Sequence, residues 1–209
     1  MFESTVKKIV DTQIENGTLS EGDRNIYLYG YQMLIEFSVN IITSLITAVV
    51  FQAYGIVIVF TIAYLLLRGY VGGYHAKTSL GCFCISACML LAAVFFVQYV
   101  AALEISNWLF LLEIIMLPCV ICRTPIPVTS KPITNNEKYH FKRKVKLIYP
   151  IELLAEILLL FLEKDTWALA ILAVHIVLFI MVIVDLFKIH PVLQESDVVF
   201  FKARYLENI

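Results

Sequence analysis

The side chains able to do chemistry crowd into one stretch, Arg68 to Cys82, which reads R-G-Y-V-G-G-Y-H-A-K-T-S-L-G-C. A thiol is a nucleophile only as thiolate, so a catalytic cysteine needs a base or a positive neighbour. His75 and Cys82 make such a pair, seven residues apart. On one straight helix they would share a face but stand about 10 Å apart, whereas a working hydrogen bond spans about 3 Å. If they act together, the backbone between them folds back. Gly69, Gly72 and Gly73 before His75, and Gly81 before Cys82, allow such a bend. Thr78 or Ser79 is placed to cap the following helix, which puts Cys82 in its first turn, where the helix dipole favours a thiolate.

Other reactive groups compete with this pair. Cys84 points about 200° away from Cys82 on a helix, and Cys88 lies at least a turn deeper. The bland readings are an interfacial histidine and small buried cysteines. The five cysteines, 82, 84, 88, 119 and 122, lie in or beside apolar runs and are odd in number, unlike a secreted disulfide framework. Cys119-x-x-Cys122 has no second pair at ligand spacing and reads as packing beside Pro118; no metal site and no cofactor is indicated. Glu36, Glu113, Glu152, Glu156, His175 and Asp185 fall within apolar runs, where ionisable groups are functional candidates. Glu36, Glu152 and Asp185 fall near the depth of Cys82, where one of them could orient His75. Glu113, Glu156 and His175 lie deeper, and interhelical hydrogen bonding is the simpler reading for them.

The elements that must position these residues are membrane elements. The 209 residues are 60% hydrophobic and 16% charged, with a mean hydropathy of +0.83. A soluble domain carries about a quarter charged residues, so the surplus apolar surface must face lipid. Residues 1–20 hold an amphipathic helix, too short and too charged to span, with Gly17 as its C-cap. Ser20-Glu21-Gly22-Asp23 resembles a capping box. Six spans are expected at 21–54, 55–74, 80–103, 107–122, 147–162 and 166–187, with a basic loop at 123–146 and a tail at 188–209. The second run is short for the roughly 20 residues a span needs and must borrow from Arg68–Tyr74. Glu163-Lys164-Asp165 reads as a tight turn. With both termini in the cytoplasm, every Lys and Arg except Lys164 falls inside, as the positive-inside rule requires. No secretory signal is present. The expected architecture is therefore an all-α integral membrane domain over 1–209, its His75–Cys82 stretch at the cytoplasmic side.

The spacing R-x-x-x-x-G-x-H-A-x-x-S-x-x-C, at Arg68, Gly73, His75, Ala76, Ser79 and Cys82, resembles the accessory gene regulator B (AgrB) family, membrane cysteine endopeptidases of Gram-positive quorum sensing. Pro127, Lys131, Pro132 and Ile133 resemble that family's K-P-I element. The resemblance covers most of the chain. It implies Cys82 as nucleophile and His75 as base, with Arg68, Gly73 and Ser79 as supporting motif positions and Lys131 and Pro132 handling substrate. The substrate implied is a propeptide with an amphipathic leader and an acidic C-terminal tail. Removal of that tail is coupled to thiolactone cyclisation, in a homodimer seated in the cell membrane, with no nucleic-acid partner. One departure is that Thr129 and Ser130 precede a single Lys131 where the family often shows a run of lysines. Basic charge returns at Lys138, Lys142, Arg143, Lys144 and Lys146, and a basic loop would attract an acidic tail. Two rival readings are a purely hydrolytic membrane cysteine peptidase and a non-enzymatic transporter or peptide-binding protein.

Overall fold

The computed structural model describes residues 3–72, 78–103, 110–126 and 134–186, and among these the protein is all-helical. The helices are α1 (Glu3–Glu15), α2 (Arg24–Val50), α3 (Tyr54–Val71), α4 (Ser79–Ala102), α5 (Glu113–Arg123), α6 (Asn135–Phe161) and α7 (Asp165–Leu186). Single 3₁₀ turns at Glu21–Asp23 and Phe110–Leu112 precede α2 and α5.

Helix α7 is the axis of the fold, in contact with α3, α4, α5 and α6. A helix apolar all round belongs in the interior, and Leu169, Leu172, Val174, His175, Leu178 and Val182 of α7 are completely buried. Helix α2 is its opposite. It packs on α3 and α4 but leaves Leu34, Phe37, Ile41, Leu45, Ile46 and Val49 exposed. In water the exposed half of each such side chain forgoes on the order of 1 kcal/mol of burial; a bilayer removes that penalty. Helices α2, α3, α4 and α7 are each long and apolar enough to cross a membrane, which makes this a membrane protein. At about 1.5 Å per residue, the 11 residues of α5 are short for a crossing.

Helix α1 lays Val6 and Val10 against α2. Asp11 pairs with Arg24, and the Gln13 amide donates to the Tyr31 hydroxyl at 2.9 Å. Gly17 takes φ +71 as the C-cap the sequence predicts. Ser20 caps only the 3₁₀ turn, accepting from the Gly22 N–H.

Three connections use one device, an i to i−5 backbone bond closed by a left-handed residue, as in a Schellman cap. Thr18 bonds back to Gln13 around Gly17, Ala53 to Ala48 around Gln52, and Lys164 to Leu159 around Glu163. The last is the tight turn read at Glu163-Lys164-Asp165.

The basic segment departs from expectation. Residues 135–146 are helical and continue without a break into the apolar run, so α6 has 27 residues. The cause is local. Thr134 accepts from the Glu137 N–H at 3.3 Å while the Glu137 carboxylate accepts from the Thr134 N–H at 2.9 Å, a full capping box.

Candidate active site

Cys82 sits where a capped helix start puts it. Thr78 is extended (φ −122, ψ 145), and its hydroxyl accepts from the Gly81 N–H at 3.1 Å. Ser79 is the first helical residue, and the Cys82 N–H donates to the Thr78 carbonyl at 3.0 Å. Cys82 is half-buried, Cys84 and Cys88 are exposed, and none of the five cysteines forms a disulfide. The angular separation expected between Cys82 and Cys84 is thus visible as a difference in exposure.

Helix α3 delivers the chain to the same place. Arg68, in its last turn, donates from Nε to the Tyr64 hydroxyl at 3.1 Å and from a terminal nitrogen to the Gly72 carbonyl. One guanidinium therefore holds the carbonyl just beyond the helix end. Gly72 ends α3 at φ 78, ψ −160, a region essentially closed to residues with a Cβ.

Gly72 is also where two distant segments meet. The Ile126 N–H donates to the Val71 carbonyl at 2.8 Å, and Gly72 and Ile126 form an isolated parallel bridge. A Cβ on Gly72 would stand 2.7 Å from the Ile126 carbonyl oxygen. Next to this bridge, Arg123 at the end of α5 pairs with Asp185 near the end of α7 at 2.9 Å. Tyr70 of α3 faces Phe141 of α6 with ring centroids 6.2 Å apart. The ends of α3, α5 and α7 and the basic start of α6 thus gather at one end of the bundle. Lys138, Arg143 and Lys146 are exposed there, and Lys142 and Lys144 are partly so.

Of the residues singled out in the sequence, Gly73, His75, Ala76, Pro127, Lys131, Pro132 and Ile133 lie outside the described residues, as does the fold-back between His75 and Cys82. Their stems are described. The Gly72–Ile126 bridge lies directly before Gly73 on one side and the Pro127–Ile133 element on the other. Sequence reasoning missed this contact because nothing local signals it. Two carboxylates considered as orienting groups for His75 are engaged elsewhere: Asp185 with Arg123 and Glu152 with His175. Glu36 accepts from Gln32 at 3.3 Å.

A second polar constellation lies inside the bundle. His175 Nδ1 is 2.7 Å from Glu113 and 3.6 Å from Glu156, and its Nε2 is 3.2 Å from Glu152. Tyr149 donates to Glu113 at 2.9 Å, and its ring stacks on His175 with centroids 4.0 Å apart. All five side chains are buried. The interhelical hydrogen bonding expected of Glu113 and His175 is present, with Glu152 joining it, whereas Glu156 makes only the 3.6 Å contact with His175 and no hydrogen bond among the described residues. Glu113, Glu156 and His175 each bring a donor atom within 4.8 Å of the others, as a metal ion would require.

Fold and site together define an all-helical membrane protein with a half-buried thiol at a capped helix start. Residues 4–193 match the family model Accessory gene regulator B, and the chain belongs to that family, which acts in quorum-sensing peptide processing. No curated protein and no solved structure matches it.

Proposed function

We propose that the protein is a membrane cysteine endopeptidase that trims and cyclises an autoinducing-peptide precursor, with Cys82 as nucleophile and His75 as base. The observation that carries this reading is Cys82 in the first turn of α4, half-buried at the bundle end where the stems of both family motifs are bridged. The dipole of α4 stabilises negative charge on sulfur there.

The substrate is a propeptide with an amphipathic leader and an acidic tail. The leader lies on the bilayer, and the tail is drawn to Lys138, Lys142, Arg143 and Lys144 on α6, with Lys131 and Pro132 beyond the bridge also in contact. Arg68, Gly73 and Ser79 are the supporting positions of the same motif. The Cys82 proton passes to His75, and the thiolate attacks the scissile carbonyl. The C–N bond breaks, His75 returns the proton to the departing amine, and the peptide is left as a Cys82 thioester. The precursor's internal thiol then attacks that carbonyl. Its proton passes through His75 to the Cys82 sulfur, and a thiolactone forms. One thioester replaces another, so the step succeeds only while water is kept out.

In this reading the protein crosses the membrane six times, with α5 and the second half of α6 completing the four long spans. Both termini and the Cys82 end face the cytoplasm, and the protein works as a homodimer.

Co-expression with a propeptide tests the proposal. Cys82→Ala and His75→Ala each abolish tail removal, and Cys84→Ala retains it. Mass spectrometry of the product finds a ring, lighter by one water than the linear acid. Cleavage by Cys82→Ala overturns the assignment; a linear product leaves a hydrolase and removes the cyclase.

A further inference from the structure

We infer that the buried Glu113–Glu152–Glu156–His175 cluster is a binding site for a first-row divalent metal ion of the zinc type, joining α5, α6 and α7 inside the bundle. The inference is independent of the peptidase reading. It begins with unmet hydrogen-bonding capacity. Glu156 is completely buried, yet among the described residues neither of its carboxylate oxygens has a hydrogen-bond partner, and Oε1 of Glu152 is in the same condition. Buried charges are ordinarily paired or coordinate metal. Here three carboxylates share one imidazole, so even an imidazolium leaves them short of positive charge.

The geometry suits an ion. Zinc binds imidazole nitrogen and carboxylate oxygen at about 2.0–2.2 Å, so tetrahedral donors stand about 3.3 Å apart. From His175 Nδ1, Glu113 Oε1 lies at 2.7 Å and Glu156 Oε2 at 3.6 Å, on either side of that spacing. The ion takes the place of the proton between Nδ1 and Glu113 and draws in the unbonded Glu156. The imidazole is then neutral, with its remaining N–H on Nε2 directed at Glu152 Oε2, 3.2 Å away. A metal-bound histidine characteristically donates its other N–H to a carboxylate, and Glu152 is placed to accept it. Tyr149 sets the remaining orientations, stacking on the imidazole and donating to the second oxygen of Glu113. Two glutamates four apart on α6 present both carboxylates on one face.

The test uses the full-length protein in detergent. After loading with zinc and exhaustive dialysis, elemental analysis finds stoichiometric zinc. A strong chelator lowers the thermal midpoint, and zinc restores it. Glu156→Gln keeps all five cysteines but loses the ion and the chelator response. Glu152→Gln, outside the ion's immediate ligands, weakens affinity about 10- to 100-fold. Zinc at background in the loaded wild type overturns the inference, as does a midpoint indifferent to chelation. Stoichiometric zinc surviving in Glu156→Gln overturns it too, since the cysteines would then be the ligands. None of these readings depends on peptide cleavage, so the site and the peptidase proposal can fail separately.

Discussion

At the scale of single residues, Gly72 constrains the candidate active site most tightly among the described residues. Its φ and ψ are open essentially to glycine alone, and strain of that kind costs on the order of 1–3 kcal/mol. The space is closed as well, because the atom that a Cβ would meet at 2.7 Å is a backbone oxygen of Ile126 and not a flexible side-chain tip. Gly72→Ala is therefore expected to lower stability in detergent by about that amount and to reduce propeptide processing, because the bridge carries both motif stems. Gly69→Ala is the control. Gly69 is helical, a Cβ there meets nothing within 4 Å, and the change should stabilise by about 0.5–1 kcal/mol. If both variants behave alike, the bridge is not what holds this end of the bundle. Gly72 is legible in the sequence as a bend and Thr78 as a cap, whereas Gly69 and Gly81, read as part of the same bend, lie inside α3 and α4. The partner of the bend is not legible, because Ile126 lies far along the chain and carries no pattern that points to Gly72.

At the scale of elements, the fold depends on abrupt helix reversals, and two of them place a residue with a side chain in the left-handed region. Gln52 has φ 49 and Glu163 has φ 58, where a non-glycine residue is disfavoured by roughly 1–2 kcal/mol. Glycine relieves that cost but loses more backbone entropy on folding. Glu163→Gly is accordingly expected to raise stability by about 0.5–1 kcal/mol, read as a higher midpoint in denaturant, with insertion unchanged. A lower midpoint would mean that the Glu163 side chain does more for the turn than its backbone angle costs. The turn itself is readable from Glu163-Lys164-Asp165, since charge interrupts two apolar runs there. The helix over 135–146 is not, because lysines and a polar composition outweigh Thr134-x-x-Glu137 when the segment is read alone. The capping box decides otherwise once the apolar half of α6 can propagate from it. The polar cluster is legible as residues but not as a cluster. Only the packing of α5 and α6 on α7 brings Glu113, Glu152 and Glu156 to one histidine.

At the scale of the whole molecule, charge is concentrated where the chemistry is proposed. The positive-inside reading of the sequence puts every lysine and arginine except Lys164 on one side of the membrane. The described part of that basic set includes Lys138, Lys142, Arg143 and Lys144, on a helix whose Phe141 touches Tyr70 at the end of α3. Cations fixed on a helix present a directed field; on a loose loop they would average it out. An acidic tail would feel that field over about 8 Å at physiological ionic strength and only about 3 Å at 1 M salt. Reversing Lys142, Arg143 and Lys144 together to Glu is therefore expected to raise the KM for a propeptide about tenfold at low salt, since each exposed pair contributes up to about 1 kcal/mol. The difference should shrink toward parity at high salt, with kcat little changed, because in the proposed mechanism the tail leaves before the cyclisation. A fall in kcat at constant KM would place these side chains at the reacting bond instead. A salt-independent loss would mean that α6 supports the fold and does not guide the substrate.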